Sequence, residues 1–291
     1  MEVLLFMCVT GIVALAYFLV FLPKRRQSQQ RNILNSLEIV KSLKELLILI
    51  QQHRGLTTGF LHGDAQLERS IGNKRASIYE KWKALDAASN ELESDMLYTS
   101  IKSHWERLAT GWQRQTVANN IDQHSRLITN LLYLIENQAE NYGPMLRLGR
   151  DSGLDVIWKE LLETIEAIGQ TRAIGMGVVS AGESSVIERI QLKFLVDKVK
   201  HRVAALESSF TKKTSLMGNK KWASLFLNDV QLHVEQLLSF VESMLLNNDL
   251  KSVTSETFFD LASSAITPLD KLFVEAEEKI KDHLKISPML N

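Results

Sequence analysis

Apolar residues recur at intervals of three and four positions along nearly the whole chain after Gln27. This spacing places them on one face of an α-helix. In the first half it predicts a long helix that continues to about His62, followed by three further helices. Their apolar positions are Ile71, Ile78, Trp82, Leu85 and Leu92 in the second helix, Ile101, Trp105, Leu108 and Trp112 in the third, and Ile121, Leu127, Leu131, Leu134 and Ile135 in the fourth.

Two clusters of turn-forming residues lie at the middle of the chain, at 141–144 and 149–153. They separate the first half from a second series of four predicted helices. These helices are expected at about 155–180, 187–206, 222–245 and 255–284. Pro268 lies inside the last one, where proline removes a backbone donor and clashes with the preceding turn. The pattern therefore predicts a kink or a restart of the helix there.

The composition agrees with a helical protein. The 291 residues include 14 glycines and only 4 prolines, and helix-forming residue types dominate after the N-terminus. We predict an all-α fold of two linked antiparallel four-helix bundles that arose by internal duplication, preceded by one transmembrane helix. The predicted helical domain covers 35–285, with halves at about 35–142 and 153–285 and a short tail at 286–291.

The two halves share an arginine that is followed by small residues at the same spacing. The small residues are Gly55, Gly59 and Gly63 after Arg54, and Ala173, Gly177 and Ala181 after Arg172, 118 positions later. Small residues four positions apart form a shallow ridge on one helix face, where another backbone can approach closely. If a pseudo-twofold axis relates the halves, both guanidiniums face a common space. That arrangement is unfavourable unless an anion lies between them.

A simpler interpretation exists for each arginine taken alone. Most helical arginines are solvated or ion-paired, and small residues in helices usually serve packing. Repetition favours a shared site, because the same pattern occurs twice at equivalent places. The sequence alone leaves both interpretations open.

The side chains around the first arginine suit a small planar oxyanion. Gln51, Thr57 and Thr58 lie within one helical turn of Arg54 and carry amide or hydroxyl donors. A guanidinium donates two parallel hydrogen bonds to adjacent oxygens, as found in a carboxylate, nitrate or nitrite. The candidate ligand-binding residues are therefore Arg54, Arg172, Thr57, Thr58 and Gln51.

The N-terminus has the composition of a membrane anchor. No residue from Val3 to Leu22 is charged, and a helix of this length spans a hydrocarbon layer of roughly 30 Å. Lys24, Arg25 and Arg26 follow the apolar run, whereas the basic residues of a cleaved signal peptide precede it. We predict a retained single-pass anchor at 3–22 and a basic linker at 23–34. The positive-inside rule then places the rest of the chain in the cytoplasm.

Several classes of function find little support in the sequence. The formal net charge is zero and no long basic segment occurs, so we expect no nucleic-acid partner. Cys8 is the single cysteine, which excludes an internal disulfide and a cysteine-ligated metal centre. The seven histidines are scattered, and no phosphate loop or nucleophile elbow is present. We therefore predict no metal, no cofactor and no enzymatic activity.

The first motif also resembles a known family. The segment Gln51 to Leu61, which reads QQHRGLTTGFL, is similar to the signature of the NIT domain, the nitrate- and nitrite-sensing module of bacterial regulators and receptors. Gln170 to Gly175, reading QTRAIG, resembles its second half. The usual form has glutamate where this chain has His53, which leaves the identity of the ligand open.

This resemblance implies a helical sensor that holds an anion between the motif helices through Arg54 and Arg172. It implies nitrate or nitrite as the ligand, and together with the predicted anchor it indicates a single-pass protein of the bacterial inner membrane. Relatives usually carry an output domain, and none is visible after the last predicted helix, so we expect signalling through an unidentified output protein or a homodimer. The alternatives are a membrane-tethered helical scaffold whose repeats only pack, and, third, an enzyme.

Overall fold

The computed structural model describes residues 22–142, 153, 155–212, 220–250 and 253–286, together with Phe6, Thr10 and Tyr17. All regular structure in these ranges is helical, which confirms the all-α prediction. The helices of sixteen residues or more are α1 Leu22–Leu61, α2 Glu68–Ala88, α3 Met96–Gly111, α4 Val117–Tyr142, α5 Leu162–Ala181, α6 Val186–Lys212, α7 Lys220–Phe240 and α8 Ser255–Ile286.

Short helical segments link several of these helices. Two 3₁₀ turns, Ala65–Leu67 and Trp112–Arg114, and a one-turn helix, Asn90–Glu93, lie in the first half. Two π-helical turns extend α5 at its start, Val156–Leu161, and α7 at its end, Val241–Leu245. Asn141 and Tyr142, predicted as part of a turn cluster, are the last residues of α4. The other residues of the predicted turn clusters, apart from Gly153, and the predicted tail, apart from Ile286, lie outside the described residues.

The motif helices α1 and α5 lie at the centre of the molecule. Helix α1 packs against α2, α4 and α5, and α5 packs in turn against α6 and α8. The outer helices pack against their neighbours in the same half, α3 on α4 and α7 on α8. These contacts suit the two predicted four-helix bundles, an arrangement that stays our interpretation. Helix α5 is buried on nearly every side, as expected for a helix that is apolar all round.

Each motif helix ends at a glycine. Gly63, just after α1, has φ +108°, and Gly182, just after α5, has φ +74°. Glycine adopts this left-handed conformation without the steric cost that a Cβ brings, so both helices stop at equivalent places in the repeat. The stop that the sequence predicted at Gly63 is therefore confirmed.

The restart predicted at Pro268 is wrong. Helix α8 continues without a break from Ser255 to Ile286. Proline cannot donate to the carbonyl of Ser264, but packing of α8 against α5 and α7 keeps the remaining turns in place. The hydroxyl of Thr267 donates to the carbonyl of Ser263 at 3.2 Å and adds a bond in the same turn.

No helix among the described residues is long and apolar enough to cross a membrane. The predicted anchor at 3–22 lies almost wholly outside the described residues. The anchor therefore stays a prediction.

Candidate functional site

The two motif helices run side by side in the same direction. A Cβ on Gly59 would lie 2.8 Å from the Oγ atom of Ser180, and one on Gly177 would lie 2.9 Å from Nε2 of His62. A Cβ on Gly169 would likewise come within 3.2 Å of a terminal nitrogen of Arg54. Arg54, earlier in α1, lies beside Gly169, earlier in α5, whereas Gly59 and His62 lie beside Ser180 and Gly177, nearer the end of α5. The two helices therefore run parallel. The close parallel contact therefore depends on glycine at 59 and 177.

The other small residues of the repeat are placed differently. A Cβ on Gly55 would make ordinary contacts with the side chain of Arg172, at 3.9 Å. Ala173 is buried beside the same contact, whereas Ala181 is exposed at the end of α5. Gly63 has nothing near it, because it lies past the end of α1. The close approach is thus concentrated in the middle of the repeat.

Both motif arginines are buried in matching environments. The exposed fraction is 0% for Arg54 and 1% for Arg172. Arg54 donates from Nη1 to the hydroxyl of Ser125 on α4 at 3.1 Å. Arg172 donates from Nη1 to the hydroxyl of Ser263 on α8 at 3.0 Å. Each arginine therefore bonds a serine on the last helix of its own half.

The guanidinium of Arg54 is neutralised from within the chain. Its Nη1 and Nη2 donate to the two carboxylate oxygens of Glu166 on α5, at 2.7 and 3.1 Å. The side-chain amides of Gln51 and Gln170 also donate to this carboxylate, each at 2.8 Å. Four N–H donors thus surround one planar oxyanion. Three of these donors come from Arg54 and Gln51, two residues that the sequence predicts to bind the ligand.

Arg172 has no such partner. Its Nε and Nη2 atoms are buried and form no hydrogen bond with any described residue. The guanidinium lies over the ring of Phe259, 5.0 Å from the centroid. Burial, together with the positive charge of Arg54, lowers the pKa of Arg172 to about 9. A buried cation with free donors is costly unless an acceptor satisfies it, so this edge is suited to an anion.

A second cation lies near Arg172. Burial lowers the pKa of Lys74 on α2, and the positive charge of Arg172 lowers it further. Lys74 is only partly buried. The free edge of Arg172 is therefore part of a positively charged region.

The hydroxyls of Thr57 and Thr58 are used within the first half. They donate to the α1 carbonyls of His53 and Arg54 at 2.9 and 2.7 Å. The amide of Asn120 on α4 donates to Thr57 at 3.0 Å and to Thr58 at 3.5 Å. Both threonines are fully buried beside Arg54. Their protons point to the backbone of α1, so in this structure they fix the helix that carries the arginine.

His53 points toward α4 and belongs to a buried pair. Its Nδ1 lies 2.9 Å from Nε2 of His124, whose own Nδ1 lies 2.8 Å from the carbonyl of Asn120. A carbonyl only accepts, so His124 carries its proton on Nδ1 and accepts from His53 through Nε2. Burial lowers the pKa of both rings, that of His124 to about 3. The pair is therefore neutral and ties α1 to α4.

An open groove reaches Arg54 from the surface. It has a volume of about 670 Å³ and lies between α4 and α6, with Arg54, Ser125 and Gln170 among its lining residues. One edge of the groove is a row of apolar side chains on α6. Val186, Ile187, Ile190 and Phe194 are each between 63% and 69% exposed.

The sequence analysis missed several residues of this site. Ser125 and Ser263 are unremarkable serines on helices, and nothing in the pattern connects them with arginines. Glu166 lies on the predicted motif helix, yet it pairs with the arginine of the other half. A signal appears only when equivalent positions of the two halves are compared. Glu166 is charged, whereas the equivalent residue of the first half, 118 positions earlier, is the apolar Ile48. Within the described residues, no group of three or more His, Cys, Asp or Glu side chains could hold a metal ion.

The fold and the site define an all-helical protein with a buried arginine on each of two related central helices. The sequence matches the family named NIT, for nitrate and nitrite sensing, over residues 45–282. The chain belongs to this family, which confirms the resemblance seen in the motifs. Membership indicates a sensory role rather than a catalytic one.

A solved structure shares the fold. The NasR transcription antiterminator superposes with a TM-score of 0.66 at 17% sequence identity, covering 95% of this chain and 75% of that one. At this identity the likeness concerns the helical architecture. No curated protein matches the sequence.

Proposed function

We propose that this chain is a membrane-anchored, non-catalytic sensor that binds nitrate or nitrite between its two motif helices. The observation that carries the proposal is the pair of buried arginines, Arg54 and Arg172, on adjacent helices of a NIT domain. Nitrate and nitrite are planar and accept parallel hydrogen bonds from a guanidinium. Residues 35–285 form the sensor domain in this proposal, arranged as two four-helix bundles.

The signal in this proposal is a change in helix packing. An anion at the arginines alters the contact between α1 and α5, which Gly59 and Gly177 make close. Arg172 also bonds Ser263 on α8, so a movement of Arg172 on anion binding also displaces α8. Binding then shifts the population between two packings of the same helices, without chemistry.

The output passes to a partner of this chain or to a second copy of it. The exposed apolar row on α6 supports such a contact, because large apolar patches on a protein surface usually mark interaction sites. The zero net charge favours a protein partner over a nucleic acid. The similar structure, NasR, is a transcription antiterminator, and this role is stated of NasR and not of the present chain.

The membrane anchor in this proposal is the uncharged run from Val3 to Leu22. The basic residues after it place the sensor domain on the cytoplasmic face of a bacterial inner membrane. A reporter fused after Asn291 is expected to be active only in its cytoplasmic form. Activity of a periplasm-dependent reporter would reverse this topology.

Thermal unfolding of the whole chain in mild detergent tests the sensor against the scaffold. A ligand that binds only the folded state adds RT ln(1 + [L]/Kd), about 2.7 kcal/mol at a hundredfold excess over Kd. We expect nitrate and nitrite to raise the melting temperature more than chloride or sulfate at equal ionic strength. If nitrate and nitrite act no better than chloride, the repeats serve packing and the scaffold is the better account.

A further inference from the structure

We propose that the anion binds to the unpaired Nη2 and Nε of Arg172, and that Glu166 is a built-in carboxylate that already occupies Nη2, together with Nη1, of Arg54. This inference rests on the proposed function and assigns its site to one of the two arginines.

The two arginines of the repeat differ in their hydrogen-bond partners. Arg54 and Arg172 are equivalent, and each bonds a serine on the last helix of its half. The position on α1 that corresponds to Glu166 on α5 is Ile48, 118 residues earlier. Isoleucine has no hydrogen-bond acceptor. No described carboxylate serves Arg172 in this way, so its Nη2 is unpaired where that of Arg54 is bonded, while Nε is unpaired in both arginines.

The two arginines also differ in what an anion would have to displace on binding. An anion on Arg54 would have to displace the carboxylate of Glu166 from four N–H donors. It would then leave that carboxylate without partners in a largely buried place, which is strongly unfavourable. An anion on Arg172 displaces no carboxylate from that arginine and gives its unpaired Nε and Nη2 an acceptor. The free energy of binding thus favours Arg172.

Partly exposed side chains and a second positive charge lie near Arg172. Phe259 and Ser263 on α8, which contact the guanidinium of Arg172, are partly exposed, and so is Lys74 on α2. Lys74 adds a second positive charge. Gly55 faces the same edge without a side chain, and even a Cβ there would lie 3.9 Å from Nε of Arg172.

The internal carboxylate also indicates the shape of the ligand. The carboxylate of Glu166 is planar, carries one negative charge and accepts both terminal N–H groups of Arg54. Nitrite has the same bent three-atom form, and nitrate adds one oxygen in the plane. A tetrahedral dianion such as sulfate does not match this geometry. The site on Arg172 therefore selects planar monoanions.

Calorimetric titration of the full chain in detergent with nitrite and with nitrate tests the assignment. We expect the wild type to bind one anion. Ile48→Glu places a carboxylate on Arg172 in the way that Glu166 serves Arg54, so binding is lost and the anion-free protein melts at a higher temperature. Ile48→Gln has the same size without the charge and is expected to keep binding one anion.

Glu166→Ala gives an independent test. It leaves Arg54, Gln51 and Gln170 around a carboxylate-sized space, so the stoichiometry should rise from one to two. If circular dichroism shows that Ile48→Glu does not fold, this stoichiometry decides: two supports the assignment and one contradicts it.

The outcomes separate this inference from the function on which it rests. If the wild type binds neither nitrite nor nitrate, the sensing function itself fails. If the wild type binds one anion and folded Ile48→Glu still binds it with equal affinity, sensing stands and the assignment to Arg172 is wrong.

Discussion

Arg54 on α1 and Glu166 on α5 form a two-pronged ion pair between the two halves of the chain, with N–O distances of 2.7 and 3.1 Å. The Arg54 side chain is fully buried and that of Glu166 is 10% exposed. The pair joins the two helices that carry the sensing motif. No described carboxylate forms the equivalent pair with Arg172, so the two buried guanidiniums lie in different electrostatic environments.

Replacing Glu166 by glutamine should strongly destabilise the protein. The change leaves the buried charge of Arg54 uncompensated, which typically costs about 3 to 5 kcal/mol. Urea unfolding without nitrate measures the loss. The matched control is Glu163→Gln, which removes the carboxylate paired with Arg202 at a more exposed site and should cost less than about 1 kcal/mol. Equal losses would show that the Arg54 pair is not special.

The same substitution at the two arginines should have opposite effects on the anion-free protein. Arg54→Met leaves the carboxylate of Glu166 without its charged partner and should lower the stability of the folded protein. Arg172→Met removes a cation with two unpaired buried N–H groups, relieves its repulsion with Arg54, and should raise the stability by about 1 kcal/mol or more. Melting temperatures of both variants test this. A loss at both positions would mean that Arg172 is satisfied by a partner.

Filling the glycine contact should damage the fold. Gly59→Leu and Gly177→Leu force side chains into places where a Cβ alone would lie 2.7 Å from Leu67 or 2.9 Å from His62. Overpacking of this kind costs about 1 to 3 kcal/mol or more. The control is Gly72→Leu on the exposed face of α2, where nothing lies within 4 Å and helix propensity gains up to about 1 kcal/mol. If all three variants have the same melting temperature, α1 and α5 do not pack as described.

The buried histidine pair should make the stability depend on pH. The pKa of His124 is about 3 in the folded protein and about 6.5 in an unfolded chain, so the unfolded state binds more protons between these values. The contribution is therefore fully present above pH 6.5 and is lost as the pH falls toward 3. The slope is up to about 1.4 kcal/mol per pH unit for each histidine.

Urea midpoints at pH 7.5 and pH 5 measure this slope. His124→Gln should reduce it, whereas His201→Gln, at an exposed position, should leave it unchanged. A slope that is identical in the wild type and His124→Gln would show that the pair does not contribute.

The helices and the motif were predictable from the sequence because both depend on local spacing. Apolar residues such as Leu37, Val40, Leu43, Leu47 and Ile50 are fully buried on one face of α1. The placement of both arginines on related central helices follows from the repeat. The break at Pro268 was wrong, because contacts of α8 with α5 and α7 hold the helix across a missing hydrogen bond.

The partners of the arginines were not predictable in the same way. Whether Glu166 faces Arg54 depends on the register between α1 and α5, and helical periodicity carries no information about register. The hydroxyls of Thr57 and Thr58 looked like ligand donors, yet buried threonines on a helix can donate to their own backbone and do so here. His53 stands where the family usually has glutamate, and its side chain turns toward His124.

The most direct measurement is the nuclear magnetic resonance signal of the Arg172 side-chain Nε–H, assigned by its absence in Arg172→Lys. Its donor is unpaired in the anion-free protein. The account predicts that nitrate or nitrite shifts this signal in a saturable way, that chloride at the same ionic strength does not, and that the Arg54 signal changes less. If the Arg172 signal is unaffected by nitrate and nitrite, the arginines of the motif helices do not form the anion site.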